Sequence, residues 1–326
     1  MRDTVIDRVG CVGRGSTTLS GKLLRTLLKI SPREVTLARR GFRGGGPGAW
    51  RRLERIGECF LHGYHAALEA GAVEDLPPRL DAVGREYLGF AFEGAAMGLV
   101  LLDHLLPWSR RLAGFLDGPG AAHAYMVHVG AGWAIARLRL RVDRAMSHLD
   151  PLLRWLAIDG FGFHEGYFHW RRSVRGGRVP PGLVGYARRA FDQGLGRSLW
   201  FVEGTDVALI PETVRAFDSA RWADLWSGVG LAASYAGGVE PGALSTLRVA
   251  AGPYGPALAQ GAAFAAKARQ RAGTPAAHTD LACQIFCGLV ADEAAAVTDS
   301  ALEDLPEAGP IPAYEAWRRR IQCRFA

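Results

Sequence analysis

Lysine is nearly missing from this chain of 326 residues: Lys22, Lys29 and Lys267 are the only three, and arginine supplies the other 36 of 39 cationic side chains. Against 32 acidic residues this leaves a formal charge of +7. Arginine, alanine and glycine enriched together are what a GC-rich genome encodes, so the basic balance reads as codon usage and a solvated surface. Neither a basic stripe with interleaved stacking aromatics nor a helix-turn-helix pattern is present, which excludes a nucleic-acid role. Cysteine is sparse too. Cys11, Cys59, Cys283, Cys287 and Cys323 are odd in number, scattered and without a Cys-x-x-Cys pair. That argues against a disulfide framework, and Cys283 and Cys287, one helical turn apart, read as core packing rather than metal ligands. The most apolar stretches, 94–102 and 130–136, fall short of the ~20 residues a membrane span needs. Residues 1–8 lack the apolar run of a signal peptide. A soluble cytoplasmic protein with no transmembrane segment is expected.

Strand-type alternation is also scarce, 198–209 being the only plausible run. No Gly-x-Ser-x-Gly elbow occurs, and no dinucleotide fingerprint followed by an acidic ribose partner, so hydrolase and ordinary nicotinamide readings lose most of their weight. The glycine-bearing run 10–16 lacks the spacing to Lys-Ser/Thr of a phosphate loop.

What is present is repetition. Phe60-Leu61-His62-Gly63-Tyr64 returns as Phe163-His164-Glu165-Gly166-Tyr167, and more weakly as Leu258-Ala259-Gln260-Gly261-Ala262. In the same order, Phe92-Glu93-Gly94 answers to Phe191-Asp192-Gln193-Gly194, and His128-Val129-Gly130-Ala131-Gly132-Trp133 to Trp226-Ser227-Gly228-Val229-Gly230-Leu231. From Trp50 onward the apolar period is helical, and Pro- and Gly-rich turns cut the chain into helix-sized segments. The sequence therefore predicts an all-α fold: a single large helical domain, 50–326, with internal tandem duplication of ~100-residue helical units (about 58–137, about 161–235 and a partial third at about 258–300). Residues 1–49 read as an N-terminal arm with one short helix and a flexible glycine-rich joint. Asp150-Pro151 reads as the start of a helix, an aspartate cap with proline in first position. Glycines inside helical pattern, such as Gly63, Gly94, Gly130 and Gly228, cost about 1 kcal/mol each against alanine. Their recurrence points to tight helix crossings or to backbone that approaches a ligand.

The densest polar cluster on apolar ground runs from Asp159 through His164 and Glu165 to His169, threaded among Phe161, Phe163, Tyr167 and Trp170. Some of these groups must be buried and paired or must line a pocket. Glu165, His164, His169, His128, Glu93, Asp159 and Glu203 are the candidate catalytic residues, with Arg197 and Glu203 read as a buried ion pair. Glu165, His128 and Glu93 are expected within one aromatic-walled pocket, touched by His164 or His169. Aromatics of the repeated segments, Phe92, Trp133, Phe161, Phe163, Tyr167, Trp200 and Trp226, with Trp170, Phe201 and Tyr235, are candidates for its walls. A second constellation, Glu58, His62, His65 and Glu69, follows steps of four, three and four, which on a helix keeps the side chains near one line. Glu58, His62 and His65 are candidate metal ligands of the kind used by carboxylate-bridged centres in bundles. An exposed polar stripe would look the same.

The run from Asp150-Pro151-Leu152-Leu153-Arg154-Trp155 to Phe163-His164-Glu165-Gly166-Tyr167-Phe168 resembles the UnbL-type proteins of enediyne biosynthesis. So do Arg189-Ala190-Phe191-Asp192-Gln193-Gly194-Leu195-Gly196-Arg197-Ser198-Leu199-Trp200-Phe201 and Ala223-Asp224-Leu225-Trp226-Ser227-Gly228-Val229-Gly230. The resemblance covers about 51–320. It implies action on or near the linear polyene on its way to the polyyne and the enediyne core, in the company of other enediyne cassette proteins. It carries no catalytic residues and no cofactor. Two functions are open on this basis. One is an enzyme of core maturation working by oxidative or halogenation-linked modification. The other is a non-catalytic protein that shields the polyene or polyyne and hands it on. Either needs a long aromatic slot closed to water.

Overall fold

The helical period is realised throughout: in a computed structural model that describes residues 19–305 and 309–326, no strand forms among the described residues. Residues 198–209, the one strand candidate, instead continue a helix to Val202 and then turn at Gly204 and Thr205, where φ is 56° and 67°. The apolar residues there, Leu199 to Val202, are buried on every side, so no alternation of faces is available. The glycine-bearing run 10–16 lies outside the described residues.

An amphipathic helix, α1 (Leu19–Leu28), precedes seven long ones: α2 (Pro47–Glu69), α3 (Leu88–Leu105), α4 (Ala124–Leu138), α5 (Arg154–Phe168), α6 (Tyr186–Val202), α7 (Trp222–Ala236) and α8 (Gly255–Ala272). From α2 to α8 each packs against the next in sequence. Helices α3, α4 and α7 are buried round most of their circumference, as apolar helices enclosed by neighbours must be. The stretch Arg85–Leu105, 21 residues, is long and apolar enough to cross a membrane by length and composition, which the shorter apolar runs seen in sequence did not suggest. Here 72% of its most apolar window is buried, with α2 and α4 packed against α3. Asp150 accepts the N–H groups of Leu152 and Leu153 at 2.9 and 2.8 Å, so it caps a turn, and α5 begins at Arg154 rather than at Pro151.

The helices meet backbone to backbone, and glycine is what allows it. A Cβ on Gly63 would stand 1.8 Å from the Ala91 carbonyl oxygen, and one on Gly94 1.9 Å from that of Phe60. The α4–α5 crossing repeats the arrangement with Gly132 against Ala157 and Gly160 against Val129, at 1.9 and 2.0 Å. Gly194 against Asp159, Gly228 against Gln193 and Gly261 against Ser227 continue it at 1.7, 1.9 and 2.0 Å. With Gly130, where a Cβ would stand 2.0 Å from the Glu93 carbonyl oxygen, the series 63, 94, 130, 160, 194, 228, 261 advances by 30–36 residues at each step. The recurring structural element is thus one helix with its connection, and the ~100-residue echo in the sequence spans three of them.

The glycine-rich joint of the arm is docked rather than free. Arg43 donates its N–H to the Val202 carbonyl at 3.0 Å. Gly44 and Gly45, at φ 72° and 65°, come so close to Glu203 and Gly204 that a Cβ would meet their carbonyl oxygens at 2.4 and 2.0 Å. Upstream, Ile30, Val35, Leu37 and Phe42 are buried against the body, and Trp170 and Tyr167 donate to the carbonyls of Arg40 and Val35 at 2.9 and 3.3 Å. Three further helices, α9 (Ala277–Cys287), α10 (Ala291–Ser300) and α11 (Ala313–Cys323), pack on α8. From α11 the fully buried Tyr314, Trp317 and Arg318 reach inward.

Candidate functional site

Helices α2 to α7 and the arm line a largely buried cavity of about 50 Å³, the slot. Its walls are Phe60 of α2, Phe90 and Met97 of α3, Trp133 of α4, Phe163, Tyr167 and Phe168 of α5, Phe201 of α6 and Tyr235 of α7, with Ile30 and Val35 closing it from the arm. Ordinary ligand pockets measure about 300–1,000 Å³, so a guest of that size enters only if the slot widens.

Three polar groups belong to the wall: Glu93, Arg197 and Tyr235. Trp133 Nε1 donates to Glu93 Oε1 at 2.9 Å. The Arg197 guanidinium lies 5.1 Å over the Phe163 ring and forms a buried ion pair with Asp159. Arg197 Nε and Tyr235 Oη are buried without a hydrogen-bond partner. Burial pushes the Glu93 carboxyl up to about 7, against the pull of Arg197 and the Trp133 N–H. A buried acid poised near neutrality can give or take a proton at physiological pH.

On the far side of Trp133 and Phe168, α5 presents a second group to an open groove of about 1180 Å³. Glu165 Oε1 is 3.1 Å from His169 Nδ1 and 3.4 Å from His164 Nδ1, while Glu165 Oε2 accepts from Arg172 at 2.8 Å. Burial would raise Glu165, but the two histidines and Arg172 outweigh it and hold the carboxyl below its ordinary range. Burial lowers His164, the Glu165 carboxylate only partly offsetting it. The Trp133 ring stands edge-on to His164 at 5.7 Å, so one aromatic layer separates groove from cavity, and Phe168 lines both.

The remaining residues singled out in sequence go elsewhere. Arg197 does not pair with Glu203. It pairs with Asp159, which also accepts from Gln193 at 2.9 Å, whereas Glu203 takes Arg43 at 2.7 Å and Thr213 at 2.8 Å. Asp159 meets Arg197 across the α5–α6 crossing, whereas Glu203, at the end of α6, is taken by the arm. His128 hydrogen-bonds the Ala124 carbonyl at 2.7 Å in the core and lines neither space. Phe92 stacks on His123 with ring centres 3.9 Å apart, Trp200 donates to the Gly237 carbonyl at 2.9 Å, Trp226 is buried, and Phe161 faces the groove. On α2, Glu58 pairs with Arg55 at 3.3 Å, His62 bonds the Arg79 carbonyl at 2.7 Å, and His65 accepts the Ile30 N–H at 3.2 Å. Each is engaged separately, with no shared focus. The residues that sequence reasoning missed, Ile30, Val35, Phe90 and Met97, carry no polar signal. Of the further lining residues, Phe60, Leu61 and Leu231 stood in repeated motifs without being singled out.

The molecule is thus an all-helical protein built round a largely buried aromatic slot that contains one acid. The chain belongs to the family described as "Protein of unknown function (DUF1702)", which matches residues 19–325 and so takes in the docked arm. No curated protein and no solved structure matches it.

Proposed function

We propose that this DUF1702 protein takes a linear conjugated polyene or polyyne, an intermediate of enediyne core assembly, into the slot between α2 and α7. The observation that carries the reading is the slot itself: largely buried and walled by rings from six successive helices, with Glu93, Arg197 and Tyr235 among its lining. A rod-like apolar molecule gains most from such walls, because its whole length leaves water and its π-system meets ring faces and edges. Unpartnered Arg197 Nε and Tyr235 Oη suit an oxygen on the ligand. The resemblance to UnbL-type proteins supplies the pathway, and the other proteins of that cassette are the partners for delivery and release.

A second reading, catalysis, is favoured by Glu93. An acid held near 7 beside a conjugated chain could move protons during oxidative or halogenation-linked maturation. One titration tests both. Purified protein mixed with a linear all-trans polyene should shift the vibronic bands to the red at one equivalent. Bands that persist indicate carriage, and bands that decay to a new product indicate chemistry. Ala232→Leu, which puts bulk into the slot from α7, should abolish the shift while costing about 1–3 kcal/mol of stability. A wild-type protein that leaves the spectrum untouched, or a variant that shifts it as well as wild type does, defeats the proposal.

A further inference from the structure

We infer that His164, Glu165 and His169 form a binding site for a divalent first-row transition-metal ion on the floor of the open groove. The inference stands apart from the slot, since it uses the opposite face of α5.

Among the described residues these three are the only group of His, Cys, Asp or Glu whose ligand atoms all lie within 4.8 Å of one another. The finer distances are more telling. Two ligands bound at about 2.0–2.2 Å to one ion, at angles between a right angle and the tetrahedral angle, stand about 2.9–3.5 Å apart. Glu165 Oε1 lies 3.1 Å from one imidazole nitrogen and 3.4 Å from the other, inside that range.

Local structure produces the convergence. Residues at i and i+1 of a helix point about 100° apart and do not normally meet. His169, the cap of α5, still donates its N–H to the Glu165 carbonyl at 2.9 Å, and as the i+4 residue it stands beside Glu165 one turn on. The next segment, Arg171–Arg175, is a π-turn, a form that recurs at functional sites, and it carries Arg172. Arg172 holds Glu165 Oε2 at 2.8 Å, leaving Oε1 turned to the histidines. Such an outer partner commonly orients a metal carboxylate.

A plain ion pair between His169 and Glu165 would account for two of the three groups. It does not account for His164. That side chain is 4% exposed, and its Nδ1 is buried, aimed at the carboxylate and outside hydrogen-bonding geometry. A buried polar atom without a partner is costly, and an ion is one of the things that satisfies it. The donor set is two nitrogens and one oxygen, without thiolate. Two histidines and a carboxylate with open positions suit Fe(II), Mn(II), Co(II) or Zn(II) better than Mg(II) or Ca(II), which prefer oxygen. The His169 side chain is 51% exposed to the groove, which gives the ion a way in and leaves coordination positions open to it.

Full-length protein stripped with a chelator and titrated with Co(II) should show visible d–d absorption that saturates at one equivalent and is displaced by Zn(II). His169→Ala and Glu165→Gln should each weaken Co(II) at least tenfold. His62→Ala, on the surface of α2, should bind as wild type. His169 is half exposed at a helix end, so its variant should keep the wild-type melting temperature and helical circular dichroism. Absence of a Co(II) spectrum, or equal binding by His169→Ala, overturns the site. Because the readout is the metal, failure here leaves the polyene titration to stand or fall on its own.

Discussion

At the scale of single residues, neighbours on α5 part company. Asp159 enters a buried pair with Arg197, Phe163 lines the slot, and His164 and Glu165 face the groove. In sequence they form one dense cluster, but Asp159 and Phe163, one turn apart on one face, both meet Arg197, whereas His164 and Glu165 line the groove. The cluster was therefore legible as important and not as one site. Glu93 gives the sharpest prediction at this scale. Its carboxyl titrates near 4.5 in an unfolded chain and at about 7 in the fold, so the folded state holds the proton more tightly. Its contribution is whole below pH 4.5 and is lost as pH rises to about 7. The loss is on the order of 3 kcal/mol in all. Glu93→Gln, neutral at every pH, should remove that loss. Urea unfolding of both proteins at intervals from acid to mildly alkaline pH should show the variant gaining on wild type through that window. A constant difference would mean that Glu93 ionises freely in the fold.

At the scale of elements, the helices were readable from period and from the lack of alternation, and the helical glycines correctly signalled crossings. Their period was harder to read. The echoes read in sequence link helices three apart, at ~100 residues, whereas the backbone contacts recur every 30–36. The arm was not legible as a wall, because Ile30 and Val35 sit in a short segment with no face pattern of its own. Gly194 tests the crossings. Its Cβ would stand 1.7 Å from a backbone oxygen on α5, which no side-chain rotation relieves. Gly194→Ala, though it raises helix propensity, should cost about 3 kcal/mol or more by forcing the axes apart. Thermal unfolding measures it, and a loss under about 1 kcal/mol would mean that the helices part freely.

At the scale of the whole molecule, the slot has two kinds of wall. Six helices are locked to their neighbours, and the arm is docked by the buried Ile30, Val35, Leu37 and Phe42 and by polar ties that include Arg43 on the buried Glu203. Arg43→Ala leaves that carboxylate with Thr213 as its remaining side-chain donor, and should cost about 1–2 kcal/mol because Arg43 is itself half exposed. Amide exchange should quicken over residues 30–46 and stay unchanged in α4 and α5. Exchange that quickens everywhere would show that arm and body open as one unit.

The glycine contacts also decide what kind of change can alter the slot. Where main chain rests on main chain, no side chain lies between to be trimmed or enlarged, and the spacing of the helices is set by the distance at which a peptide carbonyl meets an α-carbon. Substitutions on the lining enlarge or plug the slot locally and leave that spacing as it is. Relatives that keep these glycines should therefore share one frame and differ in the room that their lining side chains leave within it.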